Sequence, residues 1–449
     1  MQFCSSCCAL ATYGLLQFAA FSSLSQEPPG SVDKSFFIGP GADATVYTIT
    51  VQTDGKILVG GAFDQYYGTN RHRLARVNPN GSVDPTFDSP ITDPVAHVLA
   101  IAVQTNGQIL VGLDAGTSLM RLSSSGVVDT NFNVLGAGPN GAVHAIVLQP
   151  DGKILIGGEF TRYNGALKGR IARLNTDGTL DGLFNPLSGA DYDVFAIALQ
   201  ADDRIIVGGQ FQLFAGLTRN FIARLNPNGS LDGTFGGTGA NYYVDTIAIQ
   251  PDGKAVIGGF FSSYDGHPQN AVARLNTNGT YDASFQSIPE LEDGTVAALQ
   301  LQRDGKVVVG GDMTQGHLVR LNTDGTKDST YQPGYGPGDD VYAMTTQADQ
   351  KILIGGLFTS VDIASTPHFA RINADLKMFN PTRTGSQFSA QIQTVAGKTY
   401  RLEHQTVLGS PTWTSVLGSD VSGDGSMKLI HDPNASSTPR FYRVFGQPD

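Results

Sequence analysis

Short apolar runs alternate with turn residues through most of the chain. In the copy at residues 143–186, two apolar runs flank Pro150-Asp151-Gly152 and two more flank Thr176-Asp177-Gly178. Proline, aspartate and glycine in this order favour a hairpin loop whose glycine has a positive φ. The pattern therefore predicts two hairpins, with four strands that we call A to D. The predicted strands are Val143–Gln149, Lys153–Gly158, Arg170–Asn175 and Thr179–Phe184.

The same unit recurs along the chain. Seven copies with a period of roughly 50 residues are typical of propellers or solenoids. Strand B ends in two glycines in all copies but one, and such glycines are expected where another backbone packs closely. The turns between strands A and B fall at Asp54-Gly55, Asn106-Gly107, Asp151-Gly152, Asp202-Asp203, Asp252-Gly253, Asp304-Gly305 and Asp349-Gln350.

Strands C and D carry opposite charges at a constant spacing of eight residues. Residues at this spacing lie opposite each other across a hairpin with a three-residue loop. Because the same pair occurs in each copy, we interpret it as a structural ion pair rather than a catalytic one. The pairs are Arg76 with Asp84, Arg121 with Asp129, Arg173 with Asp181, Arg224 with Asp232, Arg274 with Asp282, and Arg320 with Asp328.

The seventh copy departs from this pattern. Phe379 stands eight positions after Arg371, and the segment expected to form strand D is shortened. At the other end of the repeats, the half-unit Ser31–Phe36 matches strand D alone. We predict that this half-unit completes the seventh copy with Asp33 opposite Arg371, because a closed ring leaves no exposed sheet edges.

The repeated sequence Q-P-D-G-K-I-L-I-G-G-x-F, followed by I-A-R-L-N-x-D-G-x-x-D-x-x-F, resembles the delta-60 repeat family of bacterial propeller-like repeats. The resemblance covers about Gly30 to Pro381 and implies a β-propeller, but it implies no shared activity. Kelch repeats share the paired glycines but carry a tryptophan that these copies lack, and sialidase Asp-boxes place the glycine differently. We predict an all-β fold in which residues 30–381 form a seven-bladed β-propeller. Its four-stranded antiparallel blades are closed by the N-terminal strand.

The repeat pattern ends near Thr382. Residues 387–449 alternate apolar and polar positions between turn residues, which predicts a small antiparallel β module. Gly397–Glu403, Trp413 and Arg440–Val444 resemble the C-terminal β module of many secreted bacterial proteins. We expect a sandwich-like module at residues 382–449, with Trp413 and Phe441 in its core.

The N-terminus resembles a secretion leader. Ala9–Leu24 is mostly apolar and is followed by small and polar residues, although no Lys or Arg precedes it. We assign residues 1–26 to the leader and expect a secreted or cell-surface protein. Cys4, Cys7 and Cys8 are the chain's only cysteines and would be removed with the leader.

Charge and composition exclude several classes of function. The net charge of -11 and pI near 5.1 argue against nucleic acid, which needs clustered Lys and Arg. The apolar run is too short and interrupted to span a bilayer. Asp420-x-Ser422-x-Asp424-Gly425 begins like a calcium loop, but its twelfth position is His431. We therefore expect no metal, no cofactor and a monomer.

The loops between strands B and C and the crossings from D to A vary among copies, and variable loops on a rigid scaffold commonly bind ligands. Their carboxylates and aromatic rings suit a glycan or a cation, or a site on a cell-surface protein. One alternative is a glycan hydrolase or lyase, which would need two carboxylates at a defined separation; another is a purely structural surface protein. The candidate ligand-binding residues are Tyr163, Tyr192, Asp193, Tyr242, Tyr243, Asp245, Tyr264, Asp293, Asp339 and Asp340.

Overall fold

The chain is all-β. A computed structural model describes residues 29–36, 39, 41–134, 136–313, 316–362, 364–374, 378–384, 386–394, 398–406, 414–423, 426–435 and 440–448. Within these ranges the regular structure is β-strand apart from one 3-10 helix, Pro289–Leu291. None of the described residues forms a helix long and apolar enough to cross a membrane. The predicted leader, its cysteines and Trp413 lie outside the described residues.

The chain divides into two compact units, of which the larger comprises Pro29–Gln347 and Ile352–Asn373 and the smaller includes Ala374–Asp449. The larger unit contains seven three-stranded antiparallel sheets, which we number 1 to 7, each with strand B between A and C. Strand A is Val46–Val51, Val98–Val103, Val143–Leu148, Val194–Leu199, Val244–Ile249, Thr295–Leu301 and Val341–Thr346. Strand B is Ile57–Gly61, Ile109–Leu113, Ile154–Gly158, Ile205–Gly209, Ala255–Gly259, Val307–Asp312 and Ile352–Gly356. Strand C is Leu74–Val77, Leu119–Leu122, Ile171–Leu174, Ile222–Leu225, Val272–Leu275, Leu318–Leu321 and Phe369–Ile372.

The turn chemistry explains these hairpins. Gly152 and Gly178 have φ values of 84° and 85°, the left-handed conformation that glycine adopts without strain. Strand B is apolar on both faces because neighbouring sheets cover it, and Ile154, Leu155 and Ile156 are fully buried. A continuous apolar run bounded by turns is typical of such a strand.

The predicted strand D is shorter than expected. It makes one bridge with strand C, as between Leu174 and Leu180, and then turns away. The turn follows from the aspartate, because Asp181 Oδ1 accepts a hydrogen bond from the Leu183 N–H two residues on. Equivalent bridges are Val77–Val83, Leu122–Val128, Leu225–Leu231, Leu275–Tyr281, Leu321–Lys327 and Val32–Ile372.

Near its end strand B has two consecutive glycines in all sheets but one, and neighbouring sheets pack closely at the first of these glycines. A Cβ atom on Gly208 would lie 2.7 Å from Cγ1 of Val244 in the next sheet. The last sheet packs on the first in the same way, since a Cβ on Gly355 would overlap the side chain of Val46. One apolar cluster also joins Val46 of sheet 1 with Phe369 of sheet 7.

Four of the loops between strands B and C are similar two-stranded hairpins, and sheet 7 has a comparable one. They are Gln65–Tyr66 with Thr69–Asn70, Arg162–Tyr163 with Ala166–Leu167, Leu213–Phe214 with Leu217–Thr218, Ser263–Tyr264 with His267–Pro268, and Ser360–Val361 with Ala364–Ser365. Each pairs with the crossing that enters its own sheet, as Ala190 does with Phe214. Hairpins and crossings therefore share one side of the larger unit, which we call the loop face.

The smaller unit has two sheets. One pairs Met378–Thr384 with Gln387–Gln393 and then Met427–Asp432; in the other, Lys398–Gln405 pairs with Thr414–Ser415, Val421–Ser422 and Phe441–Pro448. The core includes Ile392, Leu402 and Ile430. The expected boundary after Pro381 falls inside the first of these strands. That strand begins earlier because residues 378 and 379 already pair with Gln387–Gln393.

Candidate functional site

The repeated Arg–Asp pairs are buried connections between sheets. Arg173 Nε donates to Asp181 Oδ2 at 2.8 Å, and its Nη1 donates to the Pro227 carbonyl of the next sheet at 2.5 Å. The guanidinium also lies 4.8 Å from the ring centroid of Phe184. Burial tends to raise the pKa of Asp181, but hydrogen bonds from Leu183, Lys153 and Arg173 outweigh it and lower that pKa. Because Arg173 and Asp181 are buried and bonded to each other and to the next sheet, this pair offers little to a ligand.

The seventh sheet has the same connection across the ends of the repeat region. Arg371 Nε donates to Asp33 Oδ2 at 2.8 Å, and Asp33 N–H donates to the Arg371 carbonyl at 2.8 Å. Arg371 Nη1 donates to the Pro79 carbonyl in sheet 1 at 3.0 Å. This last bond has the same position as the bond from Arg173 to Pro227 and runs from the last sheet to the first.

Two expected ligand contacts are packing residues instead. Tyr163 and Tyr264 are fully buried, and their hydroxyls donate to the carbonyls of Gly178 at 2.6 Å and Gly279 at 2.7 Å. Their hairpins fold back against the sheet, which turns the rings inward. Phe214 fills the equivalent place in sheet 4 and is also fully buried. The burial and hydrogen bonds of Tyr163 and Tyr264 give these side chains a packing role and lend no support to their prediction as ligand contacts.

Every strand A contains a β-bulge near its start. In sheet 4, Val194 pairs with Gly209 and Ala196 with Gly208, so Phe195 between them has no partner. A bulge re-aims the side chain of the extra residue and is common beside binding sites. The seven bulged residues, which we call the bulge ring, are all partly exposed: Tyr47, Leu99, His144, Phe195, Asp245, Ala297 and Tyr342.

The strands A that carry the bulge ring are neighbours of one another. Each strand A is adjacent to the strands A of both neighbouring sheets, and that of sheet 7 is adjacent to that of sheet 1. Ring contacts join members of the bulge ring across sheets. Tyr47 and Tyr342 have centroids 5.7 Å apart, and His144 and Phe195 have centroids 5.2 Å apart. These side chains therefore lie where neighbouring strands A meet on the loop face.

Aromatic rings from sheets 4 and 5 form a group beside the bulge ring. Tyr242 stacks on Tyr243 at 3.9 Å and meets Phe260 edge-on at 5.4 Å, while Phe221 lies 5.8 Å from Tyr243. Tyr192 is 54% exposed and Tyr242 41% exposed. Exposed aromatic groups of this size commonly mark interaction sites. We call these five residues the aromatic patch.

Carboxylates accompany the aromatic patch. Asp193 pairs with Arg170 of the neighbouring sheet at 3.1 Å, and the Arg170 guanidinium lies 5.6 Å from the Tyr192 centroid. Asp245 belongs to the bulge ring, and burial raises its pKa to about 7. Tyr242 raises the pKa of Tyr243 most, and Tyr192 and Asp245 add to the rise. Tyr192, Tyr242 and Asp245 therefore all lie close enough to act on Tyr243.

The remaining candidates lie elsewhere on the loop face. Asp340 Oδ2 accepts a hydrogen bond from the Tyr342 hydroxyl at 2.8 Å, and Asp339 Oδ1 accepts one from the Asp340 N–H at 2.9 Å. Burial and the Asp340 carboxylate raise the pKa of Tyr342. Asp293 is exposed beside the 3-10 helix, and we find no contact between it and the aromatic patch among the described residues.

The sequence interpretation missed Phe221 and Phe260 of the aromatic patch and most of the bulge ring. The sequence did contain one sign of the bulge ring. The bulged position near the start of strand A differs in almost every copy, whereas the residue before it is always valine and the residue after it is always alanine or threonine. A bulge leaves no mark on the spacing of a single repeat, so this variation was the only indication.

Comparisons with known proteins support the repeat fold. Six segments match the model of the "Domain of unknown function (DUF5122) beta-propeller": residues 52–87, 149–184, 200–235, 250–285, 302–331 and 347–377. These repeats are therefore similar to β-propeller repeats. No curated protein sequence matches the chain.

Several solved structures are similar in fold. The extracellular domain of the two-component system BT4673 from B. thetaiotaomicron aligns with 82% of this chain at TM-score 0.50 and 14% identity, and 45% of its own chain is covered. The WD40 beta propeller domain of Doa1 aligns with 77% of this chain and 96% of its own, at TM-score 0.50 and 12% identity. This chain therefore spans less than half of BT4673 but nearly all of the Doa1 domain. At these identities the similarity concerns the fold alone, which is that of a β-propeller.

Proposed function

We propose that the larger unit is a closed seven-bladed β-propeller in which the half-unit Ser31–Phe36 supplies the fourth strand of the last blade. The bond from Arg371 to Pro79 and the packing of Gly355 on Val46 support closure, because both repeat contacts made between consecutive sheets. The bridge between Val32 and Ile372 supports the role of the half-unit. We also propose that these repeats belong to the delta-60 family, which their sequence resembles.

We further propose that this propeller is a secreted or cell-surface scaffold that binds carbohydrate at the aromatic patch and the adjoining bulge ring. The observation that carries the proposal is the exposure of Tyr192 and Tyr242 next to the carboxylates of Asp193 and Asp245. Exposed aromatic faces pack against the apolar faces of sugar rings, and carboxylates accept hydrogen bonds from sugar hydroxyls. The leader-like N-terminus supports an extracellular location.

The packing beneath the aromatic patch holds its side chains in place. Phe221 is buried and holds Tyr242 and Tyr243 from the neighbouring sheet, so the aromatic faces are fixed before a ligand arrives. Preorganised groups lose less conformational entropy on binding. The same surface could present Tyr192 and Tyr242 to a cell-surface protein, which makes that partner the second candidate.

A glycan array with the purified full-length protein tests this function directly. We expect binding to a subset of glycans, and loss of that binding when Tyr192 and Tyr242 are replaced. Shortened or unsaturated oligosaccharide products would indicate a hydrolase or lyase instead. Binding to cell-surface proteins but not to glycans would favour the second candidate, and silence in all three measurements would leave a structural role.

A further inference from the structure

Three metal-binding side chains converge on the loop face between sheets 6 and 7. One ligand atom from each of Asp312, His317 and Asp340 lies within 4.8 Å of the other two. Asp312 ends strand B of sheet 6, His317 precedes strand C of that sheet, and Asp340 precedes strand A of sheet 7. The donors thus come from three separate segments of two sheets.

The donor set fits a particular class of ion. Two carboxylates and one imidazole supply oxygen and nitrogen ligands, which suit Zn²⁺ and Mn²⁺. Calcium prefers six to eight oxygen ligands, so the histidine argues against it. Three protein ligands leave a further coordination position for water or for an oxygen atom of a bound ligand.

Neighbouring groups contact the three donors, as hydrogen-bonding partners of metal ligands do in known metal sites. His317 Nδ1 lies 3.6 Å from Asp340 Oδ1 and 3.1 Å from the Gly311 carbonyl oxygen, so the ring nitrogen that faces the Asp340 carboxylate is the one placed to coordinate an ion there. The Tyr342 hydroxyl donates to Asp340 Oδ2 at 2.8 Å and fixes that carboxylate. Zinc bonds of about 2.0–2.2 Å bring ligand atoms to about 3.3 Å from one another. The site therefore closes by rotation of Asp312, which is exposed at a strand end.

We propose that Asp312, His317 and Asp340 bind one divalent transition-metal ion, such as Zn²⁺ or Mn²⁺, at the junction of sheets 6 and 7. The ion would cross-link two neighbouring sheets. It would also offer an open coordination position on the loop face. This site is separate from the aromatic patch of sheets 4 and 5, so either can fail without the other.

The repeat itself provides a comparison. His368 has the position in sheet 7 that His317 has in sheet 6, with Nδ1 also 3.1 Å from a carbonyl oxygen, that of Gly356. The positions equivalent to Asp312 and Asp340 are occupied there by Leu357 and Thr45. A histidine at this place is therefore compatible with packing alone, and the two added aspartates distinguish the proposed site.

The test is a calorimetric titration of the full-length protein with Zn²⁺ after chelator treatment, with the leader cysteines alkylated so that their thiolates do not compete. Co²⁺ absorption serves as an independent spectroscopic probe of the ligand set. We expect one ion per chain, with affinity at least about tenfold weaker in His317→Ala and in Asp340→Asn. His97→Ala is the matched control, because His97 pairs with the single carboxylate of Asp114 at 2.7 Å.

Unchanged Zn²⁺ affinity in His317→Ala, or no binding by the unaltered protein, would overturn the proposal. An equal loss in His97→Ala would also overturn it, because the ion would then not depend on the three named ligands. Should His317→Ala fail to fold, Asp312→Asn takes its place, since its side chain is exposed and its removal leaves the packing intact.

Discussion

Arg371 and Asp33 form a buried, hydrogen-bonded ion pair although they are 338 positions apart in the chain. Each of the other six sheets makes its pair within a single hairpin, between residues eight apart. The N-terminal half-unit therefore supplies to the last sheet what every other sheet obtains locally.

We expect Asp33→Ala to destabilise the protein about as much as Asp181→Ala. Both carboxylates are buried opposite an arginine, and removing one partner of a buried pair costs roughly 3–5 kcal/mol. Chemical denaturation of the two variants measures this. Asp88→Ala, at an exposed aspartate, should change the free energy of unfolding by less than about 1 kcal/mol. A near-neutral Asp33→Ala beside a damaging Asp181→Ala would contradict closure by the half-unit.

Replacing Tyr192 and Tyr242 together by serine should abolish carbohydrate binding and leave the melting temperature almost unchanged. Both side chains are at the surface, and Tyr242 packs against other rings of the patch, so their loss removes ligand contacts while the buried clusters of the sheets stay intact. Tyr335→Ser is the control, since Tyr335 is 81% exposed on a crossing of the same face but lies outside the patch. If binding survives in the double variant, the aromatic patch is not the site.

Asp245→Asn should raise the melting temperature at pH 8, and the gain should shrink at pH 5. Burial raises the pKa of Asp245 to about 7 in the folded protein, against about 3.9 when unfolded. Folding is therefore penalised by the ionised carboxyl, fully above pH 7 and progressively less as the pH falls towards 4. Thermal unfolding across this range measures the effect. Asp151→Asn is the control, because Asn106 occupies the equivalent turn position in sheet 2 and the substitution keeps the turn; an equal gain there at pH 8 would contradict the assignment to Asp245.

Tyr264→Phe should cost roughly 0.5–1.5 kcal/mol and leave ligand binding unchanged. The lost hydroxyl bonds the Gly279 carbonyl at 2.7 Å inside the core, and a single buried hydrogen bond contributes about that much. Phe214→Tyr in sheet 4 provides the reverse comparison. Reduced ligand affinity in Tyr264→Phe without a stability change would restore the residue as a ligand contact.

Gly208→Ala should destabilise by roughly 1–3 kcal/mol, because its methyl group would meet Val244 of the next sheet at 2.7 Å. Gly182→Ala is the control, with no atom within 4 Å of the added Cβ. Equal unfolding free energies for the two variants would show that neighbouring sheets can move apart at no cost.

The sequence predicted strands A to C and their turns well because local chemistry repeats in every copy, as at Gly152 and Gly178. Strand D was overestimated because an aspartate that pairs with arginine also turns its own backbone, as Asp181 does. The burial of Tyr163 and Tyr264 was not visible in the sequence, because a hairpin that folds back on its sheet has the same sequence pattern as an exposed loop.

The aromatic patch was predicted in part. Tyr192, Tyr242 and Tyr243 stand out as aromatic residues in crossings, and crossings are exposed in most repeat folds. Phe221 and Phe260 gave no such signal because they border strands C and B, where apolar residues usually belong to the core. The order of the repeats shows which sheets are neighbours. It does not show which side chains of two neighbouring crossings come into contact.

The bulged residue of each strand A takes no part in the pairing with strand B. Substitution there changes the side chains that the loop face presents, while the hydrogen bonds between strands A and B stay as they are. Seven such positions, one per sheet, can therefore change without altering the strand pairing. A duplicated gene could acquire a new ligand through changes at these sites alone, and a designer could exchange them as a set.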